Sequence, residues 1–120
     1  MEKFLLLVRE DLNILKQIGQ EEHYKGIRQM MKWVESLSES GNYTGGEPLL
    51  TMGKYVSRDN VLSDGPFIEA KECISGYIFL QAENLEQAAS IAQTCPLVIQ
   101  EKMVMEVRPI MTLNKTLLDG

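Results

Sequence analysis

What this chain lacks removes most classes of function before any motif is considered. No apolar run approaches the roughly 20 residues that cross a bilayer, and the run from Phe4 to Val8 is too short for a signal-peptide core. A cytoplasmic protein with no membrane partner is the expectation. Lysine and arginine number 12 against 17 aspartates and glutamates, a net charge of -5. Without a basic surplus to neutralise phosphates, nucleic acid is not an expected partner. Cysteine is scarce: Cys73 and Cys95 show no Cys-x-x-Cys spacing, and His23 is the single histidine. Free, buried thiols are expected rather than a disulfide or a zinc site, and no metal. Phosphate-binding glycine loops and nucleophile elbows are missing, so no cofactor is expected either.

What remains is an ordinary globular composition, 44% hydrophobic and 24% charged. At 120 residues the chain is read as one domain, residues 1–120, able to bury a core without covalent staples. Residues 2–9 carry the continuous run Phe4-Leu5-Leu6-Leu7-Val8, which predicts a strand covered on both faces. Residues 10–20 read as a connection, or as a short helical turn using Leu12, Ile14, Leu15 and Ile18. From about Glu21 to Ser40, Ile27, Met30, Met31, Val34 and Leu37 recur at helical spacing. At 100° per residue His23 falls near the centre of that apolar stripe and Trp33 on its flank. Gly41-Asn42 and Gly45-Gly46 predict a loop, Pro48 to Ser57 a second strand, Arg58 to Asn60 a turn, and Val61 to Ser63 a short return strand.

Ile74, Gly76, Ile78 and Leu80 alternate as a third main strand. Asn84 and Gln87 then make a capping-box-like pair for a short helix whose small-residue stripe includes Ala88, Ala92 and Cys95. Pro96 predicts its end, residues 97–102 a loop, and Met103 to Arg108 a last strand closed by Pro109. The order β-α-β, a hairpin excursion, then β-α-β predicts an α+β ferredoxin-like sandwich. Its two helices cover only one face of an antiparallel sheet. With the first and third strands apolar on both sides, a homodimer packing sheet on sheet is expected to cover the other.

The segment Asp64-Gly65-Pro66-Phe67, followed by Glu69, Lys71-Glu72 and Gly76-Tyr77, is the most particular stretch of the chain. Together with Ala88-Ala89, Cys95-Pro96 and the closing Glu106-Val107-Arg108-Pro109-Ile110, it resembles the DGPF proteins of the YCII-related family across nearly the whole chain. The resemblance implies a ferredoxin-like fold forming a dimeric α/β barrel, similar in architecture to muconolactone isomerase. It also implies a histidine and aspartate pair as a proposed active site in shorter relatives, and association of some members with sigma factors. It names no substrate.

Two residues emerge as candidates for proton transfer. His23 is the one side chain of a type suited to it near neutrality, and it matches loosely a histidine at the start of the family's first helix. A hydrogen-bonded core histidine is the alternative. Asp64, at the head of a tight turn, either accepts backbone hydrogen bonds or projects a carboxylate into a cleft where it acts as acid or base or orients His23. Glu69 and Lys71 match the family motif, although a charge run can equally be a solvated face. Phe67 and Tyr77 would form an apolar pocket wall, and Arg108 would anchor a carboxylate ligand, with Glu106 able to close the same cleft or pair across the sheet. Two functions follow: a small-molecule enzyme of the isomerase or lyase kind acting on an anionic substrate, or a non-catalytic dimeric ligand-binding or interaction module.

Overall fold

The computed structural model describes residues 1–62 and 72–117. Its central strand, β1 (Glu2–Asp11), turns Phe4, Leu6 and Val8 into the core and leaves Leu5 and Leu7 half-buried on the other face. It lies between β5 (Glu72–Ala82) and β6 (Val104–Pro109), antiparallel to both, and β2 (Tyr43–Pro48) extends the sheet beyond β5. The order is β2-β5-β1-β6. Helix α1 (Leu12–Gln17) and the long α2 (Gln20–Glu39) join β1 to β2. Helices α3 (Leu85–Gln93) and α4 (Pro96–Ile99) join β5 to β6. This is the ferredoxin-like α+β arrangement expected, a sheet with its helices packed on one face.

The core lies between those layers. Ile78, Leu80 and Ala82 of β5 join the β1 residues beneath Trp33 and Leu37 of α2, Ala88 and Ala92 of α3, and Leu97 of α4. Leu6 and Leu80 are wholly buried, each such side chain contributing about 1.5–3 kcal/mol relative to exposure. The indole N–H of Trp33 donates to the Thr94 hydroxyl at 2.9 Å, so its burial strands no polar group.

Local chemistry accounts for the ends of the elements. Asp11 caps α1, accepting from the Asn13 and Ile14 N–H groups. Asn84 caps α3 by accepting from the Gln87 N–H at 2.8 Å, while the Gln87 side chain reaches back to the Glu83 N–H. That reciprocal pair is a capping box displaced by one residue at its return bond. At the other end of α2, Gly41 adopts φ +82°. The Asn42 N–H bonds Leu37 and the Gly41 N–H bonds Ser38, the double bond of a Schellman ending that favours glycine.

Several expectations change. The second main strand is Tyr43–Pro48, not Pro48 to Ser57. The glycine pair that suggested a loop lies inside it, because a β-carbon on Gly46 would sit 2.5 Å from the Tyr77 carbonyl oxygen; the strand needs glycine to approach β5. The short helical turn allowed within residues 10–20 is present as the capped helix α1, whereas the expected loop at 97–102 begins with the short helix α4, which Pro96 initiates rather than merely ending α3. Trp33 is buried, and His23 is exposed. The apolar stripe of α2 is packed at Met30, Trp33 and Leu37, whereas His23 belongs to the first turn, beyond the packed length. The hairpin excursion is present as β3 (Tyr55–Val56) and β4 (Val61–Leu62), turning through a Ser57 to Asn60 backbone bond.

Candidate functional site

Two faces of the sheet carry different chemistry. On the face away from the helices, the register aligns Glu47, Tyr77, Leu7 and Glu106 in one row across the strands, and Gly45, Phe79, Leu5 and Arg108 in the next. Side chains at facing positions share a face, so this is an apolar centre with charge at its margin. Tyr77 and Phe79 stack edge to face with centroids 5.7 Å apart. Phe79 remains 39% exposed and Tyr77 and Leu7 are half-buried, so the centre is open to solvent in the single chain. A shallow depression of about 400 Å³ at one end of this face is lined by Lys3, Thr44, Phe79, Leu80 and Ile110.

At the β6 margin Arg9 crosses to Glu106. Its Nε donates to Glu106 Oε1 at 3.0 Å, and Arg108 Nη1 donates to Glu106 Oε2 at 3.1 Å. Hydrogen bonds from Arg108 and then Arg9 hold the Glu106 carboxyl below the usual carboxylate range. One carboxylate thus organises two guanidiniums, leaving a surplus of one positive charge. Arg108 is 64% exposed at its side chain and has donors to spare.

The second region lies at the sheet end where β1 finishes and β5 begins, Asp11 pairing with Glu72. Helix α2 starts there with His23 in its first turn, its imidazole 6.1 Å from the Tyr24 ring between centroids. The β1–β5 ladder shifts register between Val8 and Arg9, opposite Gly76 and Ile74, so Ser75 is the extra residue of a β-bulge. Its hydroxyl is buried, with no hydrogen-bond partner among the described residues. Glu22 and Lys102 pair at 3.3 Å nearby.

Over residues 3–114 the chain matches the model of the YCII-related domain. The chain belongs to the YCII-related family. Among curated proteins no match is found. Among solved structures, this YCII-related chain is similar to the 5-chloro-2-hydroxyhydroquinone dehydrochlorinase of Burkholderia phenoliruptrix, determined in complex with 2,5-dihydroxybenzoquinone. The TM-score is 0.56 at 14% identity, covering 93% of this chain and 96% of that one. At that identity the likeness establishes a shared fold.

In this YCII-related domain the candidate residues divide. Tyr77 and Arg108 share the open face, in adjacent rows. His23 belongs to a helix on the opposite side, so the sheet separates it from both. Asp64, Phe67, Glu69 and Lys71 lie outside the described residues. Arg9 was not legible as a candidate, because its partner Glu106 is 97 residues away and only the β1–β6 register joins them. Ser75 was missed for a similar reason: a bulge has no signature in an alternating pattern. Both cysteines are free thiols, Cys95 buried and Cys73 half-buried, and burial raises the pKa of each. Among the described residues no cluster of His, Cys, Asp and Glu could hold a metal ion, and no helix is long and apolar enough to cross a membrane.

Proposed function

We propose that this YCII-related domain acts on a small anionic molecule as a homodimer, binding it over the open sheet face with Arg108 and Arg9 as the anion's partners and Tyr77 as part of the apolar floor. The observation that carries this reading is the Arg9–Glu106–Arg108 cluster beside the Leu5, Leu7, Tyr77 and Phe79 patch. Exposed ion pairs contribute at most about 1 kcal/mol to stability, so such a cluster is better explained by what it can hold. A guanidinium fixed by a carboxylate on one edge offers its remaining N–H groups in a set plane, suited to an oxyanion. A second sheet laid over the patch would exclude water and strengthen that contact.

The test uses 2,5-dihydroxybenzoquinone, the ligand held by the structural neighbour, and benzoate as a simpler anion. Calorimetric titration is expected to show saturable binding that Arg108→Ala and Arg9→Ala each weaken at least tenfold, about 1.4 kcal/mol. Absence of saturable binding of both anions overturns the anion site. If the charges instead lock two copies together, Glu47 on the opposite margin is the natural partner for Arg108. In that case Arg108→Glu breaks the dimer, and adding Glu47→Arg restores it.

A second reading, the isomerase or lyase one, is favoured by the exposed His23 at the bulged end of the sheet and by the fold shared with a dehydrochlorinase. Here His23 and Asp64 transfer the proton, and Phe67, Glu69 and Lys71 line the substrate, with Lys71 holding an anion. Chloride release from 5-chloro-2-hydroxyhydroquinone above the uncatalysed rate, lost in both His23→Asn and Asp64→Asn, is the expected result. No release by the wild-type protein sinks the lyase chemistry and leaves anion binding standing.

A further inference from the structure

We propose that residues 49–62, the segment carrying the β3–β4 hairpin, form an arm that packs against a second copy of this chain. The inference rests on the reading that the protein dimerises and adds what the interface must contain. Every residue from Glu47 to Leu62 is exposed. Yet the segment is rich in large apolar side chains: Leu50 is 78% exposed, Met52 70%, Val56 70% and Val61 61%. So many large apolar side chains left in water within one short segment mark a binding surface.

The dimensions of the chain point the same way. Its radius of gyration is 15.9 Å, whereas a compact domain of this length has roughly 13.6 Å. It exposes 8798 Å² at a mass of 13.6 kDa, against roughly 6,600 Å² for a compact monomer of that mass. The difference, about 2,200 Å², is of the size one subunit buries in an obligate dimer.

The open sheet face cannot supply that area alone. The four strands have 10, 6, 11 and 6 residues. At about 3.3 Å per residue and 4.8 Å between strands, the face measures roughly 500 Å² in projection. Even with the relief of its side chains added, such a face falls well short of the roughly 2,200 Å² excess. The arm leaves the sheet at its β2 edge, where the Leu49 N–H bonds the Ser75 carbonyl, and so begins beside the face a second sheet would cover. Its apolar side chains make up the shortfall, and a second copy is the occupant because, in the dimer proposed above, that copy covers the adjoining face.

Sedimentation velocity at micromolar concentration, on the full chain and on the double variant Leu50→Asp with Val56→Asp, tests the arm. The wild type is expected to run as a dimer and the variant to dissociate, its dimer constant weakened at least about 100-fold. Far-ultraviolet dichroism and Trp33 fluorescence should stay as in wild type, since neither position touches the core. Hydrogen exchange on the wild type supplies a check that needs no variant: amides in 50–62 should become protected as concentration rises through the dimer constant. A wild-type dimer whose mass ignores the variant, or whose arm amides exchange alike at all concentrations, overturns the arm and leaves the sheet-to-sheet dimer intact. A wild-type monomer overturns the dimer and the arm together.

Discussion

Single residues here show how one charge can organise a surface. Glu106 has its pKa lowered by hydrogen bonds from Arg108 and then Arg9, so its folded form binds a proton less readily than its unfolded form. The resulting stabilisation is present above the ordinary carboxylate range, near pH 4.3, and is lost as pH falls through the lowered folded value. Glu106→Gln is therefore expected to be less stable than wild type at neutral pH, with the difference closing below about pH 4. Urea midpoints measured across pH 3–7 read this directly, and a difference that persists undiminished in acid would count against the ion pairs as its source. Leu6 marks the opposite case, a residue whose whole contribution is packing. Wholly buried in the core between sheet and helices, it should cost about 2–5 kcal/mol on truncation to alanine, at any pH.

At the level of elements, the sheet depends on one absent side chain. Gly46 lets β2 approach β5 so closely that an added β-carbon would meet Tyr77 O at 2.5 Å and Ile78 Cα at 2.9 Å, both backbone and unable to move aside cheaply. Gly46→Ala is expected to detach the edge strand while the β5-β1-β6 core persists. Amide exchange at Tyr43 to Glu47 would then rise selectively, with Trp33 fluorescence retained. A variant that keeps β2 protected would show that the strand can shift without loss. The helices are held more locally. Losing the Asn84 cap by change to alanine should cost about 1 kcal/mol, because the Gln87 N–H is left without its acceptor.

The whole molecule is a slab of 42 × 39 × 19 Å, one helix layer against one sheet. Its second sheet face and its arm are the surfaces that association would bury. If they meet a second copy, stability is linked to protomer concentration by mass action. The thermal midpoint should rise with protein concentration and cease to do so in the variant carrying Leu50→Asp and Val56→Asp. A midpoint independent of concentration in both proteins would argue against a dimer at this face.

The continuous apolar run of Phe4 to Val8, the alternation of Ile74 to Leu80 and Met103 to Val107, and the helical spacing from Ile27 to Leu37 were enough to reach an α+β ferredoxin-like fold, while the family came from the resemblance carried by the Asp64-Gly65-Pro66-Phe67 motif. Such periodicities are local consequences of which face each element buries, so they can be read along the chain. The capping of α3 was legible for the same reason: Asn84 and Gln87 lie three residues apart. Burial of Trp33 and exposure of His23 were not, because they depend on how far along α2 the sheet and α4 extend. The placement of β2 over the Gly45-Gly46 pair was hidden too, since the need for glycine arises from a neighbouring backbone. Arg9 and Glu106 meet only once β1 and β6 pair, and the sheet then parts Arg108 and Tyr77 from His23. The sequence by itself determined which surfaces are apolar and which elements form. Only the tertiary structure decided which charges share a face, because register couples residues whose separation in the chain carries no periodic signal.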